Sequence, residues 1–145
     1  MAKTPPPPYP IHHYSSAFKQ SAERLADASP LAWAGIRAAI RYLLEFKRAA
    51  VAPDVRWHIV QSEFGTHCGE IRWPDPEAQS EHPDDAWRGL FVAHPNDDWY
   101  VFTVLGNKAG TDRSGNDWYA SAVSRSDEIV RTAIVDLGLA DIPAP

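Results

Sequence analysis

The chain has 145 residues, 44% of them hydrophobic and 23% charged, with a formal net charge of -5 and a pI near 5.6. That length supports one domain with one sizeable core. The acidic balance weighs against a stand-alone nucleic-acid binder, whose affinity comes from neutralising phosphates. No apolar run reaches the roughly 20 residues that span a bilayer, and the N-terminus lacks an apolar signal core, so a cytoplasmic, membrane-free protein is expected. Cys68 is the single cysteine and excludes an internal disulfide.

Residues 1–13 read as a disordered proline-rich tail, since "PPPP" at 5–8 suits neither a helix nor a central strand. A single domain is expected over 14–138, and 139–145 as a frayed end. "SSAFKQSAERLADASP" predicts a helix capped by Ser15 or Ser16, with Tyr14, Phe18, Ala22 and Leu25 on one stripe. Ser29 followed by Pro30 starts a second helix, with Trp33, Ile36, Ile40, Leu43 and Leu44 facing the core. After Pro53 the character turns to strands. "DVRWHIV" sets Val55, Trp57 and Ile59 on one parity, and "HCGEIRW" sets Ile71 and Trp73 opposite Glu70 and Arg72. "PDPEAQSEHPDD" is a long acidic loop.

A hairpin follows, with "HPNDD" as its turn and the apolar "WYVFTVL" as a central strand. In its first strand Arg88 shares parity with Leu90 and Val92, while Trp87, Gly89, Phe91 and Ala93 take the other face. A glycine-containing loop leads to a last helix from about Ala122 to Gly138, striped by Ile129, Val130, Ala133, Ile134 and Leu137. The fold class expected is α+β: two N-terminal helices packed on an antiparallel three- to four-stranded sheet, then a C-terminal helix.

The chemistry-bearing residues cluster in the hairpin region. Arg72 and Glu70 share the expected open face with Arg88, and Lys108 leaves the neighbouring strand at the sheet's end. An anion site, such as one for a phosphate chain, competes here with ordinary surface ion pairs. Although acids crowd the two loops flanking the hairpin, Leu105 to Arg131 is nearly balanced by Lys108, Arg113, Arg125 and Arg131, so a local cationic patch fits an acidic chain. No phosphate loop, dinucleotide fingerprint, HExxH or GxSxG motif occurs. The histidines are scattered singly, and neither a metal nor another cofactor is expected.

The ordered motifs "GEIRW", "WRGLFV", "WYVFTVLGNK" and "RSDEIVRTAI" together resemble the RelE/ParE toxin superfamily, in its HigB-like, phage-derived branch. Glu70, Ile71 and Arg72 stand for that family's E-L-R triplet. Trp87, Arg88 and Phe91 stand for its second motif, Asn107 and Lys108 for its lysine segment, and Ile129, Val130 and Ala133 for its last helix. The chain departs from the pattern in its net acidity, its single lysine at 108 and its acidic 74–85 loop.

The resemblance implies a messenger-RNA endonuclease acting at the ribosome and held inactive by an antitoxin protein. It implies attack by a 2′-hydroxyl on its own phosphodiester, which requires no metal. Arg88 would then stabilise the phosphoryl charge, assisted by Lys108 and Arg113, with Arg72 as a further RNA contact. Tyr119, Glu70 and His94 remain alternative proton carriers. A rival expectation is a non-catalytic phage- or plasmid-borne inhibitor, or a degenerate toxin, meeting a protein partner through its acidic loops. A gyrase-directed toxin is a third.

Overall fold

The computed structural model describes residues 9–51, 53–73, 85–110 and 116–143. The expectations for 1–8, the loop at 74–84, Arg113 and residues 144–145 therefore lie outside the described residues.

Eight main elements follow in chain order: β1 (Ile11–Tyr14), α1 (Ser16–Ala28), α2 (Pro30–Phe46), β2 (Val55–Trp57), β3 (Cys68–Trp73), β4 (Trp87–Ala93), β5 (Trp99–Asn107) and α3 (Asn116–Asp136). The α+β class expected from the sequence is the one observed. The sheet, however, has five strands in the order β1-β5-β4-β3-β2. β2 to β5 form an antiparallel meander, and β1 pairs parallel with β5, Ile11 opposite Trp99. The tail reading thus ends too late. Ile11 to Tyr14 form an edge strand, because Tyr14 stacks on Phe102 at 5.0 Å and contributes apolar area that a solvated tail would not.

Ser15 caps α1 by accepting from the Phe18 N–H at 3.0 Å, and its Oγ donates to the Thr103 carbonyl at 2.6 Å. One residue therefore both starts the helix and fixes it to the central strand. Ser29 caps α2 ahead of Pro30 at the first helical position. The two helices cover one sheet face, burying Phe18, Leu25, Ile36, Leu43, Ile71, Phe91 and Phe102. α3 covers the other face over Leu90, Val92, Trp99, Val101 and Val104.

Two irregularities override simple alternation. Thr103 is an extra residue in β5, since Leu90 pairs with Val104 and Phe91 with Phe102. Its hydroxyl donates to the Leu90 carbonyl and meets Ser126 Oγ on α3, which keeps the fully buried group satisfied. Beyond β2, both His58 N–H and Ile59 N–H donate to the Cys68 carbonyl, with His58 at φ 68. That bulge sends Ile59 to the α3 face, away from Val55 and Trp57 whose parity it was expected to share.

α3 begins six residues before the expected Ala122. Of the expected stripe Val130 is buried and Ile129, Ala133 and Ile134 pack on the core, whereas Leu137 is 50% exposed; Ala122, Val123 and Ser126 extend the covered face toward the start of the helix. The segment after α3 is docked rather than frayed: Trp99 Nε1 donates to the Ala140 carbonyl at 2.8 Å, and Leu139 and Ile142 pack on the core. Among the described residues no helix is long and apolar enough to cross a membrane.

Candidate anion site beneath the start of α3

Strand parity carries Glu70 and Arg72 of β3 and Arg88 of β4 to the α3 face of the sheet, with Arg72 directly opposite Arg88. Arg56 faces Glu70 across the β2–β3 pair and joins the same face. Lys108 follows the end of β5, tied back by its N–H to the Ala86 carbonyl at 3.0 Å. The first turns of α3 close over this end, with Trp118 lying against Gly106. A Cβ on Gly106 would come within 2.7 Å of Trp118 Nε1, so the close approach needs glycine.

Glu70 is 1% exposed and accepts from the Tyr119 hydroxyl at 2.6 Å, while Arg72 Nε stands 3.9 Å from its other oxygen. Arg88 is 4% exposed and spends Nη1 on the Trp87 carbonyl at 2.8 Å. Among the described residues the Nε atoms of Arg72 and Arg88 are buried without a hydrogen-bond partner. Lys108 Nζ sits 5.3 Å from the centre of the Tyr119 ring, within cation–π reach. Arg72, Arg88 and Lys108 therefore surround one buried carboxylate, with the exposed Arg56 on the neighbouring strand.

The electrostatics follow from that crowding. Burial pushes Arg88 below the ordinary guanidinium value; Glu70 opposes the shift and Arg72 adds to it. Burial also lowers Lys108, and Arg88, Arg72 and Arg56 lower it further. The Tyr119 phenol moves the other way, raised by burial and then by the adjacent Glu70, so it keeps its proton through the neutral range.

Arg88, Lys108, Tyr119, Arg72 and Glu70 are thus brought together as the sequence suggested, with one correction. The face they share is covered by α3 rather than open, because Trp118 and Tyr119 seal the end where the uncovered side was expected. His94 does not belong to the site. It follows β4 at the opposite end, about 20 Å from Arg88 at roughly 3.3 Å per strand residue, and its Nδ1 accepts from the Asn96 N–H at 3.1 Å within the hairpin turn. Arg56 was missed by the sequence reading, although its parity opposite Val55 and Trp57 was the available signal.

The end of the sheet remote from Glu70 is chemically quiet. Asp127 accepts from Ser62 Oγ at 2.6 Å and from the Glu63 N–H at 2.9 Å. Arg48 donates to the Thr66 carbonyl and to His67 Nδ1, both at 2.9 Å, and lies 4.2 Å above Trp57. The imidazole of His67 is held neutral by burial, then by Arg48 and His94. Cys68 is buried, and its thiol is pushed up to about 12, as expected of a packed residue. Among the described residues no group of three or more His, Cys, Asp or Glu side chains is placed to hold a metal. No family model matches the chain, and no curated protein or solved structure matches it.

Proposed function

We propose that the chain is a toxin-like RNA endonuclease, partnered by an antitoxin protein, that cleaves messenger RNA at the ribosome. One observation carries the reading. Arg72, Arg88 and Lys108 crowd around the buried carboxylate of Glu70, with Arg56 on the neighbouring strand, and among the described residues the Nε atoms of Arg72 and Arg88 make no hydrogen bond. Like charges in a partly dry site repel one another, and a bound phosphodiester would relieve both the repulsion and the orphaned donors.

In the reaction a 2′-oxygen forms a bond to the adjacent phosphorus as the bond to the 5′-oxygen breaks. The 2′-proton goes to an acceptor and a second proton goes to the leaving oxygen. Lys108, shifted toward its neutral amine, is the acceptor in this scheme. Tyr119, which retains its proton and is oriented by Glu70, is the donor. Arg88 and Arg72 stabilise the charge gathering on the phosphoryl oxygens. Entry of RNA requires the first turns of α3 to move aside, since Arg88 is covered.

That covering also favours a second reading, in which the fold is a non-catalytic binding protein and Arg88 is structural. Expression of the chain alone in a bacterium separates the two. Growth arrest with cleaved messenger RNA, lost in Lys108→Ala and Tyr119→Phe proteins that still fold by circular dichroism, supports the nuclease. Normal growth with intact messenger RNA, or both variants as toxic as the parent, rules it out.

A further inference from the structure

On the opposite face, a groove of about 450 Å³ runs between β1 and the α1–α2 hairpin. Its floor is aromatic and apolar, formed by Tyr14, Phe18, Trp33 and Ile40. Lys19, Arg37 and Arg41 stand on its walls, all exposed, against a single acid, Glu23. Among the described residues none of these three cations enters an ion pair. The concentration of positive charge is local. Residues 16 to 48 carry six cations and three acids, in a chain whose net charge is -5.

The groove also adjoins an unpaired sheet edge. β1 is the terminal strand, bonded to β5 on one side only, and among the described residues no strand pairs with its outer edge. An exposed edge is a template for another strand. Tyr9 and Ile11, at 49% and 63% exposure, add apolar surface beside it.

We propose that this groove docks an extended acidic segment of a partner protein. The segment adds a strand to the outer edge of β1. Its alternate side chains place carboxylates against Lys19, Arg37 and Arg41, and an apolar residue rests on Trp33. Backbone pairing supplies affinity in this mode, and the alternating side chains supply selectivity. Charge complementarity chooses the occupant: the walls repel a basic peptide and attract an acidic one. The inference does not rest on the nuclease reading, because the groove lies across the sheet from Glu70 and Arg88.

The probe is a labelled 12-residue peptide of alternating Glu and Val, titrated into the full chain by fluorescence anisotropy. Its Lys–Val counterpart and a copy N-methylated at alternate backbone positions serve as controls. Saturable binding is expected for the Glu–Val peptide, about tenfold weaker in Arg37→Glu and again in Arg41→Glu. Both positions are exposed, so the variants keep the fold. N-methylation should abolish binding, and the Lys–Val peptide should not bind. Equal binding of the methylated peptide, or indifference to both charge reversals, overturns the proposal. So does selective capture of a single-stranded RNA oligonucleotide by the same arginines in place of the peptide. RNA cleavage should be unchanged in Arg37→Glu and Arg41→Glu, so failure here and failure of the nuclease reading are separately visible.

Discussion

The two ends of the sheet treat their polar groups oppositely. At the far end every donor is matched. Asp127 takes Ser62 Oγ and the Glu63 N–H, Arg48 is spread over Thr66, His67 and Trp57, and His94 is satisfied within its own turn. At the near end Arg72, Arg88 and Lys108 all act on Glu70, and among the described residues neither Arg72 Nε nor Arg88 Nε makes a hydrogen bond. A satisfied buried network specifies a structure, whereas an unsatisfied one costs stability and persists where something else benefits.

The strongest way to break this comparison is to remove a guanidinium from the near end. Arg88→Met keeps length and burial and lowers the local repulsion. Stability by urea unfolding should change by no more than about 1 kcal/mol, since the lost attraction to Glu70 is offset by relief of the burial cost of the charge and of the repulsion from Arg72. RNA cleavage should fall about 10²–10³-fold, the cost of deleting one charge-stabilising donor. A large loss of stability would instead make Arg88 a structural residue, equivalent to Asp127.

At the far end the expectation reverses. Asp127→Ala strands the buried Ser62 hydroxyl and the Glu63 N–H, so unfolding free energy should drop by about 2–3 kcal/mol. Cleavage per folded molecule should hold. Tyr119→Phe lies between the two cases. It deletes a hydrogen bond to a carboxylate, worth about 1.5–3 kcal/mol, and should slow cleavage by about 10²-fold if the phenol donates the leaving-group proton. Unchanged cleavage with lost stability would confine Tyr119 to holding Glu70.

Much of this arrangement was legible before any coordinates. Period-2 alternation put Glu70, Arg72 and Arg88 on one face, and a serine cap at each start, followed by Pro30 in the second, located both N-terminal helices, because these signals act over a few neighbouring residues. What escaped depends on contacts between distant segments. Ile11–Tyr14 look like a tail until Trp99–Phe102 lie beside them. Ile59 changes face because His58 adopts a left-handed conformation that no local pattern demands. The start of α3 at Asn116 follows a glycine-bearing stretch whose composition reads as loop. Its position over Gly106 is what turns an expected open face into a covered one.

The smallest effect sharpens the comparison through pH. In the folded protein Lys108 titrates below 10.5, first because it is partly buried and then because Arg88 repels its charge. Between that lowered value and 10.5 the unfolded chain binds more protons than the native one, so Lys108 makes stability rise with pH across the window. Tyr119 opposes it higher up. Its raised value makes the native state bind more protons above 10, so stability falls there. Unfolding followed from pH 8 to 10 in parent and Lys108→Met proteins should show a steeper upward slope in the parent. In Arg88→Met that slope should shrink, because the nearest repelling charge is gone. The amine is partly exposed and solvent screens it, so the change in slope is modest. Its direction carries the argument: a slope unaltered by removing Arg88 would mean that the two cations do not share one site.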